Sequence, residues 1–142
     1  MTDPASEAMA SFRRWNDAFN ARDTEAQVAE MHFPHRRLAT DNQFQVWETA
    51  GDFRAPQDGM TERLAAEGWD HTTSLSVEAV QAGPDKVHLA IRQSRQRADG
   101  SEYNGFDTLW LFTKIDGRWG VQFRSSFLAN AVQGRGGGHE AR

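Results

Sequence analysis

The chain has 142 residues, which is enough for one domain with a real core and too few for two ordinary domains. Its net charge of −4 argues against nucleic-acid and anionic-membrane binding, and the absence of cysteine excludes disulfides, thiolate catalysis and cysteine-ligated zinc. No apolar run approaches the roughly 20 residues of a transmembrane helix and the acidic N-terminus lacks the apolar region of a signal peptide, so a cytoplasmic protein is expected.

Three helices are predicted in the N-terminal half of the chain. The first covers residues 4–19, because an Asp-Pro pair forms a favourable helix start and apolar residues then recur at helical spacing. A second, shorter helix is predicted over 23–31 and ends before Pro34. A third is predicted over 58–67 and is closed by Gly68, a residue type that readily adopts the left-handed conformation at a helix end.

Strands separated by turn sequences make up most of the remaining chain. A short hairpin is predicted at 36–40 and 43–47, and Asp-Gly pairs indicate two tight turns further on. Four longer strands are predicted at 69–80, 86–97, 102–114 and 118–128. Residues 1–128 are therefore expected to form one α+β domain, with helices packed on one face of a curved, mainly antiparallel sheet. The Gly-rich segment 129–142 is expected to be a flexible tail.

The Asp-Gly turns also predict which side chains share a face of the sheet, because a two-residue turn fixes the strand register. Trp110 is expected opposite Phe123 and Thr108 opposite Ser125, on an inner face that is mostly apolar. Toward one end this face becomes polar, with His71, Thr73, Gln93, Thr108 and Ser125. An apolar wall with a polar end is typical of a ligand cavity. The alternative is that these polar positions simply reach solvent at the rim of the core.

The outer face of the predicted sheet carries both charged and apolar residues. Its members are His88, Arg92, Asp107, Leu109, Leu111 and Arg124. Asp107 is expected opposite Arg92 and diagonal to Arg124, which indicates a structural ion-pair cluster outside the core. The two leucines are too apolar for a free surface, so a homodimer through this outer sheet face is predicted.

Two segments of the chain are distinctive: Trp-Asn-Asp-Ala-Phe-Asn-Ala-Arg-Asp at 15–23 and Thr-Lys-Ile-Asp-Gly-Arg-Trp at 113–119. They resemble segments of the nuclear transport factor 2-like superfamily, and of its ketosteroid-isomerase-like and SnoaL-like branches in particular, within a similarity that covers about residues 8–128. The resemblance implies a cone-shaped fold, with the helices packed on the concave face of the sheet around an apolar pocket, and usually a dimer. Members include isomerases, dehydratases, polyketide cyclases and epoxide hydrolases, together with non-catalytic binding domains. The fold alone therefore does not select a function.

The candidate catalytic residues are His35, His71 and Tyr103. His35 lies where the chain enters the first strand, near the expected pocket mouth, and a neutral imidazole there would suit a general base. His71 projects toward the same end, and Tyr103 is a candidate hydrogen-bond donor to an oxyanion. The alternative for both histidines is a structural, hydrogen-bonded role. Their spacing matches no metal-ligand motif, and neither a metal nor a cofactor is expected.

The candidate ligand-binding residues surround the predicted pocket. They are His32, Arg37, Trp47, Trp69, Thr73, Gln93, Thr108, Trp110, Phe123 and Ser125. Trp47 and Trp69 would stack on a flat ligand or simply pack at the rim, and Arg37 would anchor an anionic substituent or lie on the surface.

Three functions stay open at this point. The favoured one is binding of a small hydrophobic molecule, because the inner face offers no carboxylate. The first alternative is an isomerase, dehydratase or cyclase with a histidine base. The second is a non-catalytic protein-interaction module.

Overall fold

Residues 3–128 are described by the computed structural model and form four helices and six strands. The helices are α1 (Pro4–Asn20), α2 (Thr24–Val28), α3 (Ala50–Arg54) and α4 (Gln57–Glu67). The strands are β1 (Met31–Leu38), β2 (Phe44–Trp47), β3 (His71–Ala82), β4 (Lys86–Gln96), β5 (Glu102–Ile115) and β6 (Arg118–Ser126). The predicted tail, 129–142, lies outside the described residues.

One sheet holds all six strands in the order β2-β1-β6-β5-β4-β3. Only the β1–β6 pair is parallel among the described strands, so the α+β class and the mainly antiparallel sheet are confirmed. Helix α1 crosses the concave face and buries Phe12 and Trp15 against the sheet. Its start is fixed as predicted, because Asp3 Oδ1 accepts a hydrogen bond from the amide of Ser6 at 2.7 Å.

The segment between α1 and β3 differs from the prediction in two ways. Helix α2 ends at Val28, and β1 already begins at Met31, so the predicted helix over 23–31 is too long. Strand β1 accommodates Pro34 because its pairing with β6 is interrupted between Met31 and Arg36. Proline has no amide hydrogen, and at this position no hydrogen bond between β1 and β6 is lost. A fourth helix, α3, was not predicted because five residues are too few to show a helical period.

The register between β5 and β6 is correct near the turn and wrong beyond it. Phe112 pairs with Val121, which is the register that the Asp-Gly turn dictates, but Leu111 pairs with Phe123, so Gln122 is an extra residue that forms a β-bulge. Every later residue of β6 therefore changes face. Trp110 pairs with Arg124 instead of Phe123, and Thr108 pairs with Ser126 instead of Ser125. Arg124 and Ser126 thus belong to the inner face, and Phe123 and Ser125 to the outer face.

A second bulge changes the faces at the start of β3. Ser74 pairs with Gln93 and Ser76 with Arg92, which leaves Leu75 unpaired and 57% exposed. Thr72 consequently faces the core, and the predicted inward orientation of His71 and Thr73 is wrong. Both of these side chains contact Oε1 of Gln96 on the other side of the sheet. Between β4 and β5 the predicted pairing of Arg92 with Asp107 is confirmed, and Leu89 pairs with Trp110 in the same register.

Candidate functional site

A cavity lies between α1, α4 and the concave face of the sheet. The space open to the centre of a water-sized sphere is about 70 Å³, which is room for several waters or a small organic group. Its lining consists of Trp15, Asn16, Phe19, Gln27, Arg37, Gln45, Trp47, Phe53, Gln57, Met60, Thr72, Gln93, Arg95, Phe106, Thr108, Trp110, Arg124, Ser126 and Leu128. None of these lining residues is acidic, and three of them are arginines.

The walls of the cavity are rings held in fixed orientations. Trp110 meets Trp15 edge to face, with ring centroids 4.9 Å apart, and Trp15 stacks on Phe19 at 5.3 Å. The indole Nε1 of Trp110 donates to Oγ1 of Thr108 at 3.0 Å, and that hydroxyl also contacts Oγ of Ser126 at 2.8 Å. These contacts fix the rings without a ligand, so the cavity is preformed.

Arg124 is the charged group at the centre of the cluster of rings. Its guanidinium carbon lies 5.5 Å from the ring centroids of Trp15 and Trp110 and 5.7 Å from that of Trp47. Such contacts between a cation and aromatic faces are attractive. Burial, together with the nearby cations of Arg37 and Arg95, lowers the pKa of Arg124 to about 9. The charged form of the Arg124 guanidinium is therefore less stable in this cavity than in water.

His35 supports Arg124 from behind. The imidazole is fully buried, its Nδ1 lies 3.1 Å from the carbonyl oxygen of Val121, and its Nε2 accepts a hydrogen bond from Nε of Arg124 at 3.0 Å. Because a carbonyl oxygen only accepts, Nδ1 carries the proton and the ring is neutral. Burial first, and then the charge of Arg124, lower the pKa of His35 well below its usual value. Both ring nitrogens are occupied, and His35 is not among the lining residues.

The other two arginines complete a cationic lining. Arg37 is 8% exposed, donates from Nη2 to the carbonyl oxygen of Leu128 at 3.5 Å, and has its pKa lowered to about 10, chiefly by burial. Arg95 is equally buried, and burial lowers its pKa as well. Nη1 of Arg95 lies 3.9 Å from Oε1 of Glu67 and donates no hydrogen bond to any of the residues described.

The structure brings five of the predicted ligand-binding residues into the cavity lining. They are Arg37, Trp47, Gln93, Thr108 and Trp110. His32 instead lies beside Arg118, whose carbonyl oxygen is 2.9 Å from its Nε2. Trp69 donates from Nε1 to Oγ1 of Thr72, behind the lining.

The remaining predicted site residues lie away from the cavity. Tyr103 donates its hydroxyl hydrogen to Oε1 of Glu67 at 3.0 Å, and burial raises its pKa. His71 contacts Asp70 and Gln96 and, like Thr73, lies on the other side of the sheet. Phe123 and Ser125 lie on the outer face because of the bulge at Gln122.

The outer face retains only part of its predicted charge cluster. Nη1 of Arg92 lies 3.4 Å from Oδ1 of Asp107, and both side chains are well exposed. His88 contacts Oε1 of Gln81 through Nδ1. The prediction that Arg124 belongs to this cluster is wrong, because the bulge turns it inward. Phe123 replaces it, next to Leu111.

The sequence contained a signal for Arg95 but none for Arg124. Gln93 is predicted on the inner face, and side chains two positions apart along a strand share a face. The sequence therefore also predicts Arg95 on the inner face, where the structure has it. Arg124 depends on the bulge at Gln122, which no turn residue or glycine marks.

Comparison with known proteins identifies the fold family. Residues 6–123 match the family described as NTF2-like protein (DUF6841). The chain belongs to this family. No curated protein matches it in sequence. Within residues 3–128, no helix of this NTF2-like domain has the length and apolarity to cross a membrane, and no three potential ligands among His, Cys, Asp and Glu are grouped for a metal ion there.

Several solved structures share the fold of this chain. An NTF2-like protein with a cystatin-like fold from Novosphingobium aromaticivorans superimposes with a TM-score of 0.67 at 16% identity, covering 87% of this chain and 80% of that one. An NTF2-like protein of unknown function from Pseudomonas putida gives 0.66 at 13% identity, covering 96% of both chains. A ketosteroid isomerase-like protein from Erwinia carotovora atroseptica gives 0.61 at 16% identity, covering 89% and 96%. Identities this low establish the shared fold only.

Proposed function

We propose that this NTF2-like domain binds a small molecule with an apolar body in the cavity between α1 and the sheet. The observation that carries the proposal is the preformed aromatic lining, in which Trp15, Trp47 and Trp110 surround one point. A cavity with rigid apolar walls and a few polar groups is the usual form of a small-molecule site. Gln93 and Thr108 supply such polar groups within the lining.

Binding is favoured over catalysis by a histidine base. Among the described lining residues there is no histidine, aspartate or glutamate to take up a proton. His35 uses both nitrogens in structural contacts, and His71 lies on the other side of the sheet. The isomerase, dehydratase or cyclase alternative would therefore need a base that the observed lining does not offer.

The proposal is tested by screening small aromatic and aliphatic compounds, charged and neutral, with ligand-observed NMR. The decisive variants are Ser126→Leu, which fills the cavity, and Ser125→Leu, which adds the same side chain on the outer face one residue away. We expect at least one compound to bind the wild type and the Ser125→Leu variant and to lose binding to the folded Ser126→Leu variant. Compounds that bind all three proteins equally, or a panel without any binder, would refute the proposal.

We also propose that the domain forms a homodimer through the outer face of the sheet. Leu109 and Leu111 are half-buried on that face, and Phe127, which lies near Leu109, is 61% exposed. A contiguous apolar surface of this kind is stabilised when a second copy covers it.

A further inference from the structure

We infer that the ligand of this cavity is an organic anion, a carboxylate on a small apolar body, and that Arg124 receives the carboxylate. The inference rests on the proposed small-molecule binding and adds the chemical class of the ligand. It comes from the mismatch between three arginine side chains in one cavity and a lining without an acidic residue.

The first argument is the lack of counter-charge. The nearest carboxylate oxygen to Arg95 is 3.9 Å away on Glu67, and that oxygen already accepts the hydroxyl hydrogen of Tyr103. Arg124 forms no ion pair within 4.0 Å to any carboxylate of residues 3–128. A cation enclosed by aromatic rings without a carboxylate to neutralise it is costly, so a negative group entering this cavity is favoured.

The second argument is the geometry left free on Arg124. A guanidinium group presents five N–H donors in a planar fork and binds a carboxylate through two parallel hydrogen bonds. His35 takes the Nε donor and thereby fixes the plane of the group. The edge formed by Nη1 and Nη2 is then available, while the three indole rings hold the group in place. Such a preorganised fork suits a carboxylate better than a flexible lysine would.

The third argument is a set of buried polar atoms without partners around the same cavity. Nε1 of Trp15 and Nη1 of Arg95 are buried donors that find no acceptor among the described residues. Oε1 of Gln45 is similarly unpaired, and an amide flip would turn that position into a donor. Buried polar groups normally have partners. A carboxylate, which only accepts, fits a lining with an excess of donors.

The mutual repulsion of the arginines supports the same conclusion. Burial and the neighbouring cations lower the pKa values of Arg124 and Arg37 to about 9 and about 10. An anion placed among them would favour the charged forms again. The size of the cavity, about 70 Å³ to the centre of a water-sized sphere, limits the ligand to roughly one ring or a short chain.

Benzoate and benzamide are suitable probes because they share the ring and differ in charge. Calorimetric titration at pH 7 measures both on the wild type, on Arg124→Met and Arg124→Lys, and on Arg92→Met as an outer-face control. We expect benzoate to bind the wild type at least about tenfold more tightly than benzamide, since a hydrogen bond to a charged group contributes this much. Arg124→Met should remove that preference, Arg124→Lys should keep part of it, and Arg92→Met should behave as the wild type.

The outcomes separate this inference from the proposed function. Equal binding of benzoate and benzamide to the wild type would overturn the anionic ligand and leave small-molecule binding in place. A benzoate preference that survives in folded Arg124→Met would overturn the role of Arg124. If no compound of the panel bound at all, the proposed function would fail and this inference with it. If Arg124→Met did not fold, the wild-type and Arg124→Lys titrations would still decide.

Discussion

His35 provides a direct test of the buried contacts behind the cavity. Its Nδ1 donates to the carbonyl oxygen of Val121 and its Nε2 accepts from Nε of Arg124, so a second proton on this fully buried ring would oppose the N–H of Arg124. The pKa of His35 is accordingly held well below the usual value of 6.5. In the unfolded chain the same imidazole titrates normally. Below pH 6.5 the unfolded state therefore binds a proton at His35 that the folded state does not bind, and the free energy of unfolding decreases as the pH falls.

The size of this effect follows from the linkage between protonation and folding. Each pH unit between 6.5 and the folded pKa costs about 1.4 kcal/mol, so complete exclusion of the proton from the folded state sets an upper limit of about 2 kcal/mol on the loss between pH 6.5 and 4.5. The comparison variant is His35→Gln, because a glutamine amide can donate to a carbonyl and accept from a guanidinium but does not titrate.

Urea unfolding at pH 6.5 and pH 4.5 measures the difference. All other ionisable groups are the same in the two proteins, so their contribution cancels between wild type and variant. We expect the wild type to lose more stability than His35→Gln over this range, by up to about 2 kcal/mol. An equal loss in the two proteins would show that His35 accepts a proton freely in the fold, and the assignment of its two hydrogen bonds would be wrong.

Three further predictions concern the close strands, the outer face and the polar anchor of the cavity. Gly120→Ala should lower the free energy of unfolding by about 1–3 kcal/mol in urea unfolding, because an added Cβ would lie 2.8 Å from the carbonyl carbon of Met31 at the start of β1. The control Gly51→Ala, whose added Cβ meets only ordinary contacts, should not be destabilised. Equal effects of the two substitutions would contradict the close approach of Gly120 to Met31. Leu109→Asp should convert the proposed dimer to a monomer in light scattering while Val46→Asp should not, and a monomeric wild type at high concentration would contradict the outer-face contact. Thr108→Val should lower the free energy of unfolding by about 1–3 kcal/mol, because the buried indole N–H of Trp110 loses its acceptor. An unchanged midpoint of urea unfolding would argue against that hydrogen bond.

Much of the fold could be predicted because local signals were strong where the structure is regular. The predicted Asp-Gly turn at 116–117 is present, with Ile115 paired to Arg118 across it, and the predicted pairing of Arg92 with Asp107 is correct. Where the pattern weakened, the prediction failed. The short helix α3 carries too few residues for a period, and Met31 looked like the end of a helix although it begins a strand.

The candidate site could be predicted only in part because one residue changes the face of a whole strand end. The bulge at Gln122 moves Arg124 from the outside of the sheet to the centre of the cavity, and it exchanges Ser125 for Ser126. The bulge lies in a strand that pairs with β5 on one side and with β1 on the other, so it involves contacts between segments distant in the chain. The most chemically informative residue was thus the one that alternation alone misplaced.

The most direct test of the central claim is the NMR signal of the Arg124 Nε–H group, identified by its absence in Arg124→Met. This group donates to His35 at the back of the cavity, and its signal reports on any charge that reaches the guanidinium. Addition of benzoate should shift the signal and slow its exchange with solvent, and benzamide should leave it nearly unchanged. Binding of benzoate without any change in this signal would contradict the assignment of Arg124 as the anion-binding group of the cavity.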